Sequence, residues 1–74
     1  KYAFAQYSLG HCYFYGIMVE TNFVKAVECY RKVASQGHAP ALNFLGFCYQ
    51  EGLGVDIDVA KAAECYSKAA AQDY

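Results

Sequence analysis

The feature that most constrains this chain is an internal repeat of 36 residues. When residues 1–36 are placed on residues 37–72 without a gap, 16 of the 36 aligned positions are identical. A repeat of this length is typical of solenoids, in which each unit buries its apolar face against the next unit. We therefore predict two copies of one helical unit, residues 1–36 and 37–72, with residues 73–74 as the start of a following unit or a cut end. In the first copy the identical positions are Ala3, Ala5, Leu9, Gly10, Cys12, Tyr13, Gly16, Val19, Lys25, Ala26, Glu28, Cys29, Tyr30, Lys32, Ala34 and Gln36.

Each copy contains two stretches with the periodicity of an amphipathic helix. In the first stretch Ala5, Leu9 and Cys12 fall at positions i, i+4 and i+7, so we predict that this stripe faces the core. Gly10 lies beside the stripe and recurs as Gly46, which predicts that a neighbouring backbone packs too closely for a side chain. No strand is expected. The predicted helices cover residues 3–15, 23–36, 39–51 and 59–71.

A glycine-rich connector between the two helices of the second copy raises the possibility of a ligand site. Residues 51–58 read EGLGVDID, and backbone amides with paired acids can hold a phosphate or a cation. In the first copy, however, Met18 replaces Gly54 and Asn22 replaces Asp58. We therefore predict structural connectors whose glycines supply unusual backbone angles. Asn22 and Asp58 are predicted to cap the helices that follow them.

The order of residues in each copy resembles the Sel1-like repeat family, a relative of the tetratricopeptide repeat. A tetratricopeptide unit has about 34 residues, whereas this unit has a longer connector between its helices. The shared order is Leu-Gly-x-x-Tyr, then Gly-x-Gly-Val and Asp, then Lys-Ala-x-x-x-Tyr-x-Lys-Ala-Ala. The first copy departs from it at Met18, Asn22 and Val33. In the second copy it is carried by Leu45, Gly46, Tyr49, Gly52, Gly54, Val55, Asp58, Lys61, Ala62, Tyr66, Lys68, Ala69 and Ala70.

The resemblance implies a fold and a class of function. The implied fold is an all-α, right-handed α-solenoid, in which the first helices line a concave surface and the second helices a convex one. Because members mostly act as scaffolds and adaptors, the resemblance implies a protein–protein interaction module, part of a longer adaptor, without a cofactor. Its expected partners are a protein or peptide, adjoining repeats, or another copy. A hydrolase resembling cysteine-rich secreted members, or a purely structural repeat segment, is the alternative.

Aromatic residues are concentrated on the side of the first helix that lies opposite Leu9. By resemblance this side belongs to the concave surface, and we predict that it binds a partner peptide or helix, because ring faces with a few polar groups suit such recognition. Two alternatives stay open: the rings pack against adjoining repeats, or they form a small-molecule pocket. The predicted binding residues are Phe4, Tyr7, His11, Phe14, Tyr15, Asn43, Phe44, Phe47 and Gln50.

Charge and spacing argue against several other classes of function. Six basic and seven acidic residues give a net charge of −1, so the chain has no basic surface for nucleic acid or an anionic membrane. His11 and Cys12 are adjacent and point about 100° apart on a helix, and Ser8 and His11 are interpreted as surface neighbours. No catalytic residue is therefore predicted. Since the chain has no C-x-x-C and no His at a ligand spacing, no metal site is predicted either.

The four cysteines are predicted to be reduced and buried. A bridge from Cys12 to Cys29, or from Cys48 to Cys65, would close a loop of about 17 residues and stabilise the fold by roughly 3 kcal/mol. However, bridged Cα atoms lie within about 7 Å, whereas helix axes pack about 8–10 Å apart. Reduced thiols favour a cytoplasmic setting, although the endoplasmic-reticulum lumen and secretion stay open. Four free thiols in the denatured, unreduced protein would support this prediction, and none would contradict it.

Overall fold

The computed structural model describes residues 2–72, which form four α-helices and, within that range, no strand. The helices are α1 (Tyr2–Tyr15), α2 (Phe23–Ala34), α3 (Ala39–Glu51) and α4 (Val59–Gln72). The predicted all-α fold is confirmed, and each predicted helix agrees with the structure to within two residues. Residues 73–74, predicted to begin a following unit, lie outside the described residues.

Two of the helices, α2 and α4, begin with an N-cap side chain at the residue that the sequence predicted. The Asn22 carboxamide oxygen accepts a hydrogen bond from the backbone N–H of Lys25 at 3.1 Å. The Asp58 carboxylate accepts from the backbone N–H of Lys61 at 3.0 Å. Each bond satisfies a donor that the first helical turn leaves without a partner, so both predicted N-caps are confirmed.

The helices pack in chain order, α1 on α2, α2 on α3 and α3 on α4, so each helix forms a layer with the next. The core is concentrated on α2 and α3. Helix α4 adds three buried hydrophobic residues, and among residues 3–15 of α1 only Gly10 is fully buried. Tyr30, Val27, Val33 and Cys48 are the largest side chains that are fully buried. The buried hydrophobic residues of α2 and α3 are Ala26, Val27, Cys29, Tyr30, Val33, Ala41, Leu42, Leu45 and Cys48.

Gly10 and Gly46 lie against the side chains of the second helix of their own unit. A Cβ built on Gly10 would lie 2.8 Å from Cε1 of Tyr30, and one built on Gly46 would lie 3.0 Å from Cε1 of Tyr66. Such distances are shorter than ordinary carbon–carbon contacts. A side chain at either glycine is therefore excluded as predicted, but by a tyrosine ring and the Cβ of the preceding cysteine and not by a neighbouring backbone, which corrects the prediction.

The connectors are shaped by residues in the left-handed backbone region. Gly52 ends α3 with φ 72°, and Gly54 follows with φ 73°. A Cβ on Gly54 would overlap the backbone carbonyl of Phe23, the first residue of α2. In the first connector Met18 also has a left-handed backbone, with φ 65°. Its side chain is 96% exposed, because no described helix lies against it. Gly54 therefore lets the second unit press its connector against the first unit.

The core-facing stripe predicted for α1 is wrong in its outer part. Ala5 is exposed and Leu9 is 42% exposed, whereas their counterparts Ala41 and Leu45 are 0% and 6% exposed. The reason is position in the stack, because α2 covers this side of α3 while no helix of residues 2–72 covers the same side of α1. Instead, α1 packs Tyr7 of its other side against the core.

The structure holds all four cysteines as free thiols. Cys29, Cys48 and Cys65 are buried as predicted, but Cys12 is only half-buried, which corrects the prediction. Cys12 belongs to the open side of α1, whereas Cys48 holds the same position on the covered side of α3. Burial raises the pKa of the Cys48 thiol to about 11, so this group stays a protonated, apolar filler of the core.

Candidate functional site

A groove of about 330 Å³ opens between the aromatic side chains of α1 and α3. Five of its lining residues are aromatic, one carries a carboxamide, and none carries a charge. The walls are therefore apolar, with a single polar side chain that can fix the orientation of a ligand. The lining residues are Phe14, Tyr15, Asn43, Phe44, Phe47 and Tyr66.

Phe44 lies at the centre of the aromatic side chains behind the groove. Its ring stacks on Tyr30 of α2 with a centroid distance of 5.3 Å and an interplanar angle of 20°. It meets His11 at 4.7 Å and Phe14 at 5.6 Å, both edge-on. These distances lie in the range at which aromatic pairs attract each other beyond simple burial. The floor of the groove is thus built jointly by three helices and is held rigid by its own packing.

A hydrogen bond ties α1 to α2 beneath the groove. Nδ1 of His11 lies 2.7 Å from the hydroxyl of Tyr30. Because burial raises the pKa of the Tyr30 phenol, the phenol keeps its proton, and it donates a hydrogen bond to Nδ1 in the His11 tautomer that carries its hydrogen on Nε2. Burial also lowers the pKa of His11, which favours the neutral imidazole that can accept this bond. The bond fixes the orientation of both rings.

A second chain of hydrogen bonds lies at the other end of the groove. The hydroxyl of Tyr66 donates to Oε1 of Gln50 at 2.9 Å, and Nε2 of Gln50 donates to Glu51 at 3.1 Å. Burial and, secondarily, the nearby charge of Glu51 raise the pKa of Tyr66. Tyr66 therefore remains a phenol that donates to Gln50, and the carboxamide of Gln50 is held in one orientation.

Asn43 is the one polar side chain in the lining. It is exposed, and none of the hydrogen bonds described for residues 2–72 uses its carboxamide. A carboxamide presents both a donor and an acceptor, which is the pattern that a peptide group also presents. Asn43 is thus available to pair with the backbone of a bound segment.

The structure brings most of the predicted binding residues together, but in three different settings. Phe14, Tyr15, Asn43, Phe44 and Phe47 line the groove. The side chains of Tyr7 and His11 lie behind it, 4.4 Å apart between ring centroids, and serve as its support. Gln50 lies at its edge through the bond to Tyr66, and Phe4 is 70% exposed and lies outside the lining.

Reasoning from the sequence missed Tyr66 as a lining residue. Tyr66 comes from a second helix, and the resemblance places second helices on the opposite, convex surface. The available signal was the recurrence of Gly46, because a helix glycine that leaves room for a ring indicates that the ring of Tyr66 reaches across from α4.

Residues 2–72 form neither a cluster of metal-ligating side chains nor a membrane-spanning helix. No group of three or more His, Cys, Asp or Glu side chains within residues 2–72 is arranged to hold a metal ion. Over the same range, none of the helices is both long enough and apolar enough to cross a membrane.

The Sel1 repeat model matches the chain twice, at residues 3–38 and 39–74. The chain belongs to the Sel1 repeat family. This confirms the resemblance inferred from the sequence. Sel1 repeat proteins are generally non-catalytic scaffolds that act as protein-interaction modules. No curated protein matches the chain.

Two solved structures share the Sel1 repeat fold of this chain. A Sel1 repeat protein from Oxalobacter formigenes is 43% identical, with a TM-score of 0.93 over 95% of this chain and 53% of its own. A protective antigen present in uropathogenic Escherichia coli strains, described as displaying an SLR fold, is 37% identical, with a TM-score of 0.96 over 99% of this chain and 16% of its own. The chain therefore spans about half of the first protein and about a sixth of the second. The predicted α-solenoid of helix–turn–helix repeats is confirmed.

Proposed function

We propose that this Sel1 repeat chain is a non-catalytic segment of an adaptor that binds a partner peptide or helix in the groove between α1 and α3. The observation that carries the proposal is the lining of that groove, five aromatic side chains and Asn43 with no charge. An apolar side chain that enters the groove leaves water at a gain of about 25 cal/mol per Å² of buried apolar surface. Aromatic residues are also the side chains that most often dominate protein–protein binding energy.

The packing behind the groove reduces the entropy that a partner would lose on binding, so a small contact area can still give tight binding. Phe44 is stacked on Tyr30, and Phe14 meets Phe23 at 5.3 Å and Phe44 at 5.6 Å between ring centroids. Because these rings are already fixed, a partner does not have to order them on binding, and little side-chain entropy is lost. The walls are therefore prepared for a side chain of matching shape.

The groove favours a partner that presents one uncharged apolar side chain and an accessible peptide group beside it. The side chain would lie between Phe44 and Phe47, and the peptide group would pair with Asn43. A charged anchor would lose its hydration without a counter-charge in the lining, which is costly. Adjoining repeats, or another copy of the chain, would use a different surface, the outer faces of α1 and α4.

The test selects peptides from a random display library on the 74-residue protein and measures their affinity by calorimetry. Phe47→Ala, at a lining residue that is 40% exposed, should weaken a selected peptide by at least roughly tenfold, as expected for an interface anchor. Phe4→Ala is the matched control, because it makes the same change on a face residue outside the groove. It should leave the affinity unchanged.

Thermal unfolding of both variants separates lost binding from lost folding. If Phe47→Ala binds the peptide as tightly as the parent protein, or if Phe4→Ala is equally damaging, the groove is not the binding site. If Phe47→Ala unfolds the protein, the ring is part of the core and the proposal fails.

A further inference from the structure

The net charge of −1 conceals an uneven distribution of the charged side chains. Within residues 2–72, every basic side chain belongs to a second helix, α2 or α4, whereas the lining of the groove between α1 and α3 carries no charge. The second helices therefore suit a ligand of a different chemistry from the one that the aromatic lining suits. The basic residues are Lys25, Arg31 and Lys32 on α2, and Lys61 and Lys68 on α4.

A second groove, of about 270 Å³, lies between α2 and α4 and has α3 as its floor. We call it the basic groove, because its lining includes the cations Arg31, Lys61 and Lys68 but the carboxylate of Glu64 alone. At roughly 30 Å³ for each water molecule, this volume has room for a group as large as a phosphate. Both walls and the floor belong to residues 2–72, so the basic groove is complete within the chain.

Tyr49 of α3 positions two of these cations. Nη2 of Arg31 donates to the hydroxyl oxygen of Tyr49 at 3.0 Å. Nζ of Lys61 lies 5.6 Å from the centroid of the same ring, so a cation–π attraction holds it there. Because the Tyr49 hydroxyl accepts from Arg31, its own hydrogen remains available to donate to a ligand. One tyrosine thus places two cations and adds an O–H donor beside them.

The donors of the basic groove are left with few acceptors. None of the side-chain hydrogen bonds described for residues 2–72 uses Nζ of Lys61 or Lys68, and Arg31 uses one of its N–H groups. Glu64 is exposed and accepts none of these bonds. Because like charges repel each other, an anion placed between the cations would lower the free energy of this arrangement.

We propose that the basic groove binds a phosphate monoester carried by a peptide segment, that of a phosphoserine or a phosphothreonine. Three cations and one carboxylate leave two positive charges, which match the charge of about −1.5 to −2 on a phosphorylated side chain at pH 7. The guanidinium of Arg31 can donate two parallel hydrogen bonds to phosphate oxygens. Lys61, Lys68 and Tyr49 supply donors for the others. A carboxylate has a single charge and two oxygens, so it would satisfy fewer of these donors.

The charge and the lining favour a peptide over the surface of a membrane. Anionic membranes are recognised by clusters of about four to eight basic residues, whereas the basic groove has three beside Glu64. Ala34 and Leu45 also line the groove. They offer apolar contact to the aliphatic part of a phosphorylated residue, which free phosphate lacks.

The first experiment titrates the 74-residue protein with a short glycine-flanked phosphoserine peptide and follows binding by calorimetry and amide NMR. We expect a dissociation constant below roughly 1 mM at low ionic strength. The affinity should fall when salt is added, because both partners are exposed charges. A peptide with unmodified serine should not bind, and a peptide with glutamate in its place should bind at least roughly fivefold more weakly, since it carries about half the charge.

The second experiment uses the internal repeat as its control. Tyr49→Phe removes the hydroxyl but keeps the ring, and Lys68→Gln removes one cation. Each variant should weaken the phosphoserine peptide at least roughly fivefold, as expected when a hydrogen bond to a charged group is lost. Tyr13→Phe and Lys32→Gln make the same changes at the equivalent positions of the first unit, outside the basic groove. They should leave the affinity within about twofold of the parent value, and circular dichroism melting checks that all four proteins fold.

Several results would overturn the proposal. The phosphoserine peptide could fail to bind, or it could bind no better than the glutamate peptide. Equal weakening by Lys68→Gln and Lys32→Gln would mean that charge attracts the peptide without a defined site. Inorganic phosphate that binds as tightly as the peptide would exclude a peptide ligand. Binding to phosphatidylcholine vesicles that contain phosphatidic acid, without binding to the peptide, would assign the basic groove to a membrane surface. None of these results depends on the groove between α1 and α3.

Discussion

Tyr30 and Tyr66 occupy the same position in the two copies of the repeat, yet only Tyr30 is completely buried. Tyr30 stacks on Phe44 of the other copy, whereas Tyr66 lies half-buried at the wall of the groove. The difference arises because α2 has a helix on both sides and α4 has one described neighbour. Identical residues at equivalent positions of a repeat protein are therefore buried to different extents, according to which helices pack on either side of them.

The hydrogen-bond partners of the two tyrosines differ as well. The hydroxyl of Tyr30 reaches His11, whereas the hydroxyl of Tyr66 reaches Gln50. The counterpart of His11 in the second copy is Phe47, so the polar partner moves by one turn along the first helix. One copy thus has a partner that can be protonated, and the other has one that cannot.

The largest expected effect comes from removing the two rings. Tyr30→Ala should lower the free energy of unfolding by about 3–5 kcal/mol, as for other buried aromatic residues. Tyr66→Ala should cost less than half as much, because its ring is already partly in water. Urea denaturation measures both, and Tyr30→Leu with Tyr66→Leu replaces the pair if the alanine variant of Tyr30 does not fold. Equal losses would show that position in the stack does not decide burial energy.

The two connectors provide the next comparison. Gly54→Ala should destabilise the protein by about 2 kcal/mol or more, because a left-handed alanine costs roughly 1–2 kcal/mol and its Cβ overlaps Phe23. Met18→Ala makes an alanine at the equivalent position and should change stability by less than about 0.5 kcal/mol, as at other exposed sites. Chemical denaturation of the two variants gives both values. A tolerated Gly54→Ala would mean that the close contact with α2 is not needed.

The smallest expected effect concerns pH. The titratable groups facing His11 are Tyr7, Tyr15 and Tyr30, none of which is charged near neutral pH. Since burial lowers the pKa of His11 below the usual 6.5, the unfolded chain takes up this proton first as the pH falls. The contribution of His11 to the free energy of unfolding is therefore fully present above pH 6.5 and is lost as the pH falls through the lowered pKa of the folded protein.

The variant His11→Gln isolates this contribution, because glutamine can accept from Tyr30 without titrating. Unfolding free energies at pH 7 and pH 5 should differ less in His11→Gln than in the natural chain. His38 is present in both proteins and cancels from the comparison. If the two proteins lose the same stability between these pH values, the bond between His11 and Tyr30 is not a source of pH dependence.

The sequence was sufficient for the helices and connectors because their signals are local. Asn22 and Asp58 cap the helices that they precede, and the glycines mark backbone angles and close approaches that depend on few neighbours. Burial on α1 was predicted wrongly because the pattern of Ala5 and Leu9 is the same as that of the covered α3 stripe. A pattern shows which side of a helix is apolar, but the neighbouring layer decides whether that side is covered.

The groove could be predicted only in part for a related reason. The helical repeat correctly placed Phe14, Phe44 and Phe47 on one side of the first helices. It gave no means of knowing that Tyr66 reaches the same space from α4, or that His11 points at Tyr30. Both contacts depend on the spacing and rotation of packed helices, which a single sequence does not contain.

The concentration of buried side chains on α2 and α3 has a consequence for the order of folding and opening. These helices belong to different repeats, so the most protected hairpin of the molecule, residues 23–51, crosses the boundary between the two copies. We expect its amide hydrogens to exchange with solvent most slowly, and those of α1 and α4, which bury fewer side chains, to exchange earlier. Exchange that instead divides at the repeat boundary would assign the cooperative unit to the repeat itself.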